Sequence, residues 1–296
     1  MKIPIPFKIV ILFIWVSTTL FFNGCASLKN SGESSEWIPL FNEKDINDWT
    51  VKIHHHEVGD NYGNTFRVED KMIKVRYDQY DTFNNRYGHL YHNTPYSHFH
   101  LKMEYRFAEP WRKDAPGYTE LNSGIMFHSQ DPRTMRKEQD WPISVEMQFL
   151  AQLADGKPQP TGNMCSPGTD VVFNGKIDPR HCINSSSKTY PKDEWIKAEL
   201  IVRGSEMVTH IINGDTVLRY TNPQIGGGVA NNYDPEIKID GKLLDSGFIA
   251  LQGEGQPIDF RNIRIKNLQL KQIYISITEH IIQQNNSLSF NRNKIN

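Results

Sequence analysis

The chain has 296 residues, 38% of them hydrophobic and 11% aromatic, with 33 Lys and Arg against 34 Asp and Glu, for a formal net charge of −1. Charges so evenly balanced and interspersed supply no basic stripe, which excludes nucleic acid as the expected partner. The apolar and aromatic content is enough for a substantial core. At the N-terminus, Lys2 and Lys8 precede an uncharged run from Ile9 to Phe22, the layout of an export signal and short for a membrane span. Asn23-Gly24-Cys25-Ala26-Ser27 follows, a lone cysteine among small residues. This reads as a lipoprotein-type signal peptide over 1–24 with Cys25 as the lipidated first residue of the mature chain. Asn23 is unusual in that position, and a signal anchor or ordinary secretion are the alternatives. Residues 25–35 read as a polar tether. The expected location is outside the cytoplasm, in a periplasm or at a cell surface, with the membrane as partner through a lipid on Cys25.

From residue 36 onward no window keeps a helical period, whereas short alternating segments recur between turn residues. TFRVEDKMIKV predicts two strands around a turn at Glu69-Asp70. HFHLKMEYRF, NSGIMFH, SVEMQFL, WIKAELIVRG, MVTHIING, TVLRY, GFIALQGEG and IDFRNIRIKNL continue the series. This spacing predicts an all-β sandwich, one domain over 36–270. In IINGDTVL the pair Asn213-Gly214 predicts a hairpin turn. The segment from Ala154 to Pro191, rich in Gly, Pro, Asn and Ser, predicts a loop system. Residues 271–296 lose the rhythm and read as a peripheral tail. With Cys25 acylated, Cys165 and Cys182 remain, and in an oxidising compartment such a pair is expected to close a disulfide. Two separate buried thiols are the alternative. Zinc is disfavoured, since neither cysteine sits in a C-x-x-C pair.

Five blocks, in order, carry a resemblance to a known family: WIPLFNEKDINDW, NSGIMFH, SVEMQFL, DEWIKAELIVRGSEMVTHIINGDTV and GFIALQGEGQPIDFRNIRIKNL. Together they run from about Trp37 to Leu270 and resemble the 3-keto-disaccharide hydrolase family, long called a domain of unknown function. The resemblance implies a concanavalin A-like jelly roll and glycoside cleavage on 3-keto sugars. Two positions depart from the family pattern. His128 stands in FHSQDP where many members have arginine, and Glu254 stands in LQGEGQ where many have histidine.

A 3-ketone acidifies the proton on C2, so the bond at C1 can break by elimination and water can then add back. That chemistry needs a base near C2, a polariser for the ketone oxygen and an acid for the departing oxygen. Glu146 is the first candidate, because SVEMQFL as a strand puts Val145, Met147 and Phe149 on one face and Glu146 and Gln148 on the other. An exposed strand face would explain the same alternation, and the family's EVQ motif favours the cleft. Gln148 would hold a sugar hydroxyl or the enolate oxygen. Glu254 is the runner-up acid, on a face with Gln252, and a Glu146/Glu254 pair would divide acid and base work. His128 is a further acid or base or a metal ligand, with Gly124 on its face leaving space for a ligand; a hydrogen-bonded structural role is the alternative. His210 matches the family histidine before the NG turn, either touching ligand or bracing the hairpin.

Glu104 and Arg106 share a strand face and would complete the network, or form a cross-strand ion pair. Arg261 reads as a sheet-edge residue. Asp170 and His181 would stand at the cleft rim if the disulfide closes. Trp141, Trp111 and Tyr118 are candidate stacking platforms for a pyranose ring, while Trp37, Trp49 and Trp195 are expected in the core. In His54-His55-His56, strand alternation lets only His54 and His56 chelate together, and an exposed loop is the expected reading. No cofactor is implied with certainty, and a divalent metal is left open. Two rival classes are a noncatalytic carbohydrate-binding module and a two-carboxylate glycosidase on unoxidised sugars.

Overall fold

In the strand His98–Phe107 burial alternates at every residue, with Phe99, Leu101, Met103, Tyr105 and Phe107 inside and His98, His100, Lys102, Glu104 and Arg106 on the outer face. This is the pleat at work: period-two side chains give one apolar face that must be covered. The computed structural model describes residues 36–268, and in it two antiparallel sheets cover each other. The export signal, Cys25, the tether and the tail after 268 lie outside the described residues.

The larger sheet runs, in spatial order, Lys176–Ile177, Thr169–Phe173, Asp215–Ile225, Met207–Ile212, Ile196–Arg203, His98–Phe107, Ile258–Asn267, Met72–Val75 and Phe66–Glu69, with Ile38–Pro39 also paired to Ile258–Asn267. The smaller runs Cys182–Ile183, Asn163–Cys165, Val145–Leu150, Asn122–Ser129, Phe248–Gly253, Gly88–His92 and Trp49–Ile53. The arrangement is the expected all-β jelly-roll sandwich. Aromatic side chains join the layers: the rings of Tyr105 and Phe149, one from each sheet, stack at 3.9 Å.

The smaller sheet departs from simple alternation. Asn122–Ser129 and Gly88–His92 are buried at every position. One face packs on the core, and connecting segments cover the other, so polar side chains on that face are sheltered rather than solvated. This sheltered outer face carries the site.

The hairpin turns follow the sequence. Asn213 and Gly214 take positive φ of 50° and 93° between paired Ile212 and Asp215, as the two-residue turn demands. The Phe66–Glu69 and Met72–Val75 strands turn at Asp70-Lys71, one residue beyond the expected Glu69-Asp70. Three readings need correction. The 154–191 segment is more than a loop: Asn163–Cys165 and Cys182–Ile183 extend the smaller sheet, while Thr169–Phe173 and Lys176–Ile177 edge the larger one. Trp37 and Trp195 are not core residues. Trp37 packs on His100 and Lys102, and Trp195 lies under the guanidinium groups of Arg106 and Arg261. Finally, the strand Trp49–Ile53 ends before His54, and His55 takes φ of 72°. Strand alternation therefore does not apply there, and His54 stacks on its neighbour His55 at 3.7 Å.

Candidate active site

One register row crosses all seven strands of the smaller sheet: Thr50, Tyr91, Ala250, Met126, Glu146, Cys165, Cys182. Glu146 is the one carboxylate in that row, and it lies on the sheltered face because Val145, Met147 and Phe149 face the core. Beside it, Gly124 pairs with Gln148 and Gln148 with Asn163, while Gln252 pairs with His89 and His89 with Lys52. Cys165 and Cys182 stand directly opposite each other and close the expected disulfide.

A cavity of about 730 Å³ opens above this floor. Glu146, Gln148 and Glu254 line it from below, and Cys165, Cys182 and His181 form one side. The opposite side is aromatic: Tyr87 stacks on Trp141 with centroids 4.5 Å apart, and the Tyr87 and Tyr118 hydroxyls are hydrogen-bonded. Asp140 fixes this wall. Its Oδ1 accepts from the backbone N–H of Trp141 and of Asn231, each at 2.7 Å, and its Oδ2 accepts from Asn231 Nδ2. Two loops are thereby tied over the cavity mouth. Four carboxylates line the space, on Glu120, Asp140, Glu146 and Glu254, and no Lys or Arg is among the described residues that do so.

Burial sets the chemistry of the floor. A Cβ placed on Gly124 would fall 2.5 Å from Glu146 Oε1, so the carboxyl lies across this glycine. Gly124 makes room for Glu146 rather than directly for a ligand. Glu146 Oε1, Glu254 Oε2, Gln252 Oε1 and Asn122 Oδ1 are buried without a hydrogen-bond partner. Leaving such atoms unsatisfied costs roughly 1–3 kcal/mol each, and a bound molecule bearing hydroxyls would recover part of it. Desolvation pushes the Glu146 carboxyl up to about 8, with the Gln252 amide pulling partly the other way. Glu254 is held well above the usual carboxylate range by burial and, secondarily, by the charge of Glu146. The pair therefore shares one electrostatic environment, and at neutral pH protonated forms dominate.

Gln148 accepts at Oε1 from Asn163 Nδ2 at 3.1 Å, and its amide nitrogen has no partner among the described residues. Gln252 is fully buried in the floor with its Nε2 3.7 Å from Met126 Sδ. It borders Glu146 without lining the cavity.

Other candidates lie elsewhere. His128 is buried, takes φ of 47°, and bonds through Nε2 to the Gly204 carbonyl at 3.0 Å. The register shift between Phe248 and Ala250 breaks alternation beside it, so its ring leaves the Gly124 and Met126 face. His210 points into the core between Gly162 O and Tyr220 Oη, both at 2.9 Å. Glu104 and Arg106 sit on the outer face of the other sheet, paired to Arg261 and Asp259 respectively. Asp170 accepts from the Gly227 N–H at 3.0 Å and shapes the 226–228 turn away from the cavity. Tyr87, Asn122, Glu120 and Asp140, which the sequence did not single out, line the cavity, as does His54. They come from turns and strand ends, where no periodic signal marks them.

Among the described residues, two clusters have the side-chain types of a metal site. The Cys165, His181 and Cys182 cluster is spent on the disulfide. Ligand atoms of His54, His55 and Glu138 lie within 4.8 Å of one another, but the two imidazole planes are stacked 22° apart. Their in-plane lone pairs run side by side and do not converge on one ion. His54 Nδ1 meets the Asn85 carbonyl and His55 Nδ1 meets Glu138. The trio is a hydrogen-bonded rim.

Known structures are similar to this chain at low identity. Two proteins of Parabacteroides distasonis, provisionally described as glycosyl hydrolases, share 18% and 20% identity with it. Each covers 79% of this chain, over 100% and 94% of its own length, with TM-scores of 0.49 and 0.48. The carbohydrate-binding module CBM66 of Bacillus subtilis shares 10% identity, covering 74% of this chain and 96% of its own, with a TM-score of 0.43. No curated protein matches the sequence. A family's sequence profile, however, matches residues 36–266, most of the chain and all of the sandwich around the cavity, and by that match the protein belongs to the family of 3-keto-alpha-glucoside-1,2-lyase-like domains.

Proposed function

We propose that the chain cleaves 3-keto-glycosides by elimination across C1 and C2 followed by hydration, with Glu146 as base and Glu254 as acid. The observation that carries this reading is that two buried carboxyls, Glu146 and Glu254, line one cavity, with burial holding both above the usual carboxylate range. A carboxylate whose conjugate acid titrates near 8 is a far stronger base than an ordinary glutamate, which suits removal of a proton made acidic by a neighbouring ketone. A two-carboxylate glycosidase on unoxidised sugars is the rival mechanism, and it differs in needing no ketone beside the proton that is removed.

In the proposed sequence the Glu146 carboxylate takes the proton from C2, and the electron pair moves onto the C3 oxygen. The unpaired amide nitrogen of Gln148 donates to that enolate oxygen. The enolate collapses to restore the ketone, C1=C2 forms, the bond from C1 to the glycosidic oxygen breaks, and neutral Glu254 protonates the departing oxygen. Water then gives one proton to the Glu254 carboxylate and adds its hydroxyl to C1 while Glu146 returns a proton to C2, giving the 3-keto sugar and the free alcohol and restoring both glutamates. Trp141 and Tyr87 supply the apolar wall for the ring face.

The test is release of sugar from a glucoside and from its 3-keto derivative, each with and without chelator. Turnover confined to the keto form supports elimination. Equal turnover of the unoxidised glucoside would replace it with an ordinary glycosidase mechanism, and saturable binding of both without turnover would make the protein a binding module.

A further inference from the structure

Along the sequence the two signs of charge are interspersed, but the pleat sorts them in space. Residues directly opposite each other in antiparallel strands share a face. On the outer face of the larger sheet one row runs Arg219, Thr209, Ile201, His100, Lys266, and the row beside it runs Ile211, Glu199, Lys102, Arg264. Lys197, Glu104 and Arg261 continue the pattern.

The carboxylates in these rows are already engaged. Glu199 accepts from His100 Nε2 at 2.7 Å and from Lys102 Nζ at 3.0 Å, and Glu104 accepts from Arg261 Nε at 2.7 Å. Lys197, Arg219 and Arg264 are exposed, and none of them is ion-paired to a carboxylate among the described residues. An open hollow of about 340 Å³ lies between Lys102, Lys197 and Arg264, with Glu104 and Glu199 also on its lining. The catalytic cavity opens on the other sheet, where four carboxylates and no described Lys or Arg line the space. The sandwich is thus acidic on one side and basic on the other, although the whole chain carries a net charge of only −1.

We propose that the basic outer face of the larger sheet rests on an anionic phospholipid surface, with headgroup phosphates drawn to Lys197, Arg219, Arg264 and Lys266 and the cavity turned away from the bilayer. Each Lys or Arg brought to such a surface strengthens binding about fivefold. Two features favour a membrane over a nucleic acid. The tryptophan rings that could stack on bases are capped, Trp37 by Lys102 and Trp195 by Arg106 and Arg261. The N-terminal segment, read as membrane-attached through Ile9–Phe22 or a lipid on Cys25, joins the fold on this same face, where Trp37 packs on His100 and Pro39 pairs with Arg264.

The experiment mixes the full chain, diluted out of detergent, with vesicles of phosphatidylcholine alone or of equal parts phosphatidylcholine and phosphatidylglycerol. The protein that sediments with vesicles is treated with an amine-reactive reagent, and the labelling rate of each lysine is compared with that in detergent. On the anionic vesicles Lys197 and Lys266 should be labelled at least about fivefold more slowly, the effect of roughly one headgroup contact. Lys137 and Lys157, on loops of the smaller sheet, should keep their rates. The slowing should be absent on phosphatidylcholine and should fade in high salt. Arg219→Gln combined with Arg264→Gln leaves the reporter lysines in place and should abolish most of the protection without altering the thermal melt. Because the comparison is between lysines of one bound chain, attachment through the N-terminal segment does not by itself produce the pattern. Equal rates for all four lysines on anionic vesicles, equal slowing of all four, or no sedimentation with those vesicles would overturn the proposal. So would protection of Lys197 and Lys266 by heparin and not by the anionic vesicles, which would assign the face to an acidic polysaccharide.

Discussion

Gly124 lies beneath the carboxyl of Glu146, so closely that even a methyl group there would overlap Oε1. The strand pair Asn122–Ser129 and Val145–Leu150 thus combines a missing side chain with an acidic one at a single point. Gly124→Ala should push the carboxyl off its seat and lower kcat/KM at least tenfold. Stability should fall as well, because the added methyl also meets Glu146 Cγ at 2.9 Å and the Met147 carbonyl oxygen at 3.0 Å in a buried strand pair. Kinetics beside a thermal melt would check this, and wild-type activity would show that the position of Glu146 is unimportant to turnover.

Burial of Glu146 couples activity to stability in opposite directions. Free glutamate ionises near 4.5 and this one near 8. Between those values the unfolded chain has lost a proton that the folded chain keeps, so this group's contribution to stability falls as pH rises from about 4.5 to 8 and is level above. Glu146→Gln is neutral throughout. It should raise the melting temperature at pH 8, flatten its pH dependence, and cost at least about 100-fold in turnover. A lower melting temperature at pH 8 would mean that the carboxylate is better solvated than the structure indicates.

The wild-type rate should itself form a bell against pH. It rises as Glu146 ionises towards 8 and falls as Glu254, raised by burial and by its neighbour's charge, loses its proton. A profile already flat at pH 5 would remove Glu146 as the base.

The Glu120 and Asp140 carboxylates, with no Lys or Arg among the described lining residues, should make the cavity reject acidic sugars. A unit charge about 4 Å from another is worth roughly 1–4 kcal/mol between bulk water and a partly shielded surface. A 3-keto glucuronide should therefore bind at least about tenfold more weakly than the matching glucoside, with the gap narrowing in high salt. Competition binding at two ionic strengths decides the matter, and equal affinities would mean the sugar sits away from these groups.

His210 should behave as a brace. It is wholly buried, its ring is kept neutral by desolvation that lowers it to about 4, and both nitrogens are engaged within the core. His210→Ala would strand the Tyr220 hydroxyl and leave a void, at a cost of roughly 2–4 kcal/mol. Folded His210→Ala at low temperature should retain near-normal KM and kcat. A large loss of kcat in fully folded protein would show that the core histidine reaches the chemistry.

The strands and both sheet faces were legible because alternation is local: SVEMQFL announces an apolar face and a polar face whatever surrounds it. Glu146 and Gln148 could be placed for that reason. The walls were hidden because they belong to turns whose positions depend on tertiary contacts, as with Asp140, which matters through Asn231, 91 positions away. Alternation also misled where the backbone broke it. At His128 a positive φ and a neighbouring register shift turn the ring away from the floor, and at His55 a positive φ stacks residues that a strand would separate. Trp195 escaped the core because two arginines cover its face, an interaction that hydrophobicity alone does not foresee.

The cross-link between Cys165 and Cys182 stands directly beside Glu146 in the register and forms part of the cavity's side. Such a bond forms where the surroundings are oxidising. The enclosure therefore depends on redox state: with the two thiols unjoined the acidic groups are all present but the wall beside them lacks its cross-link.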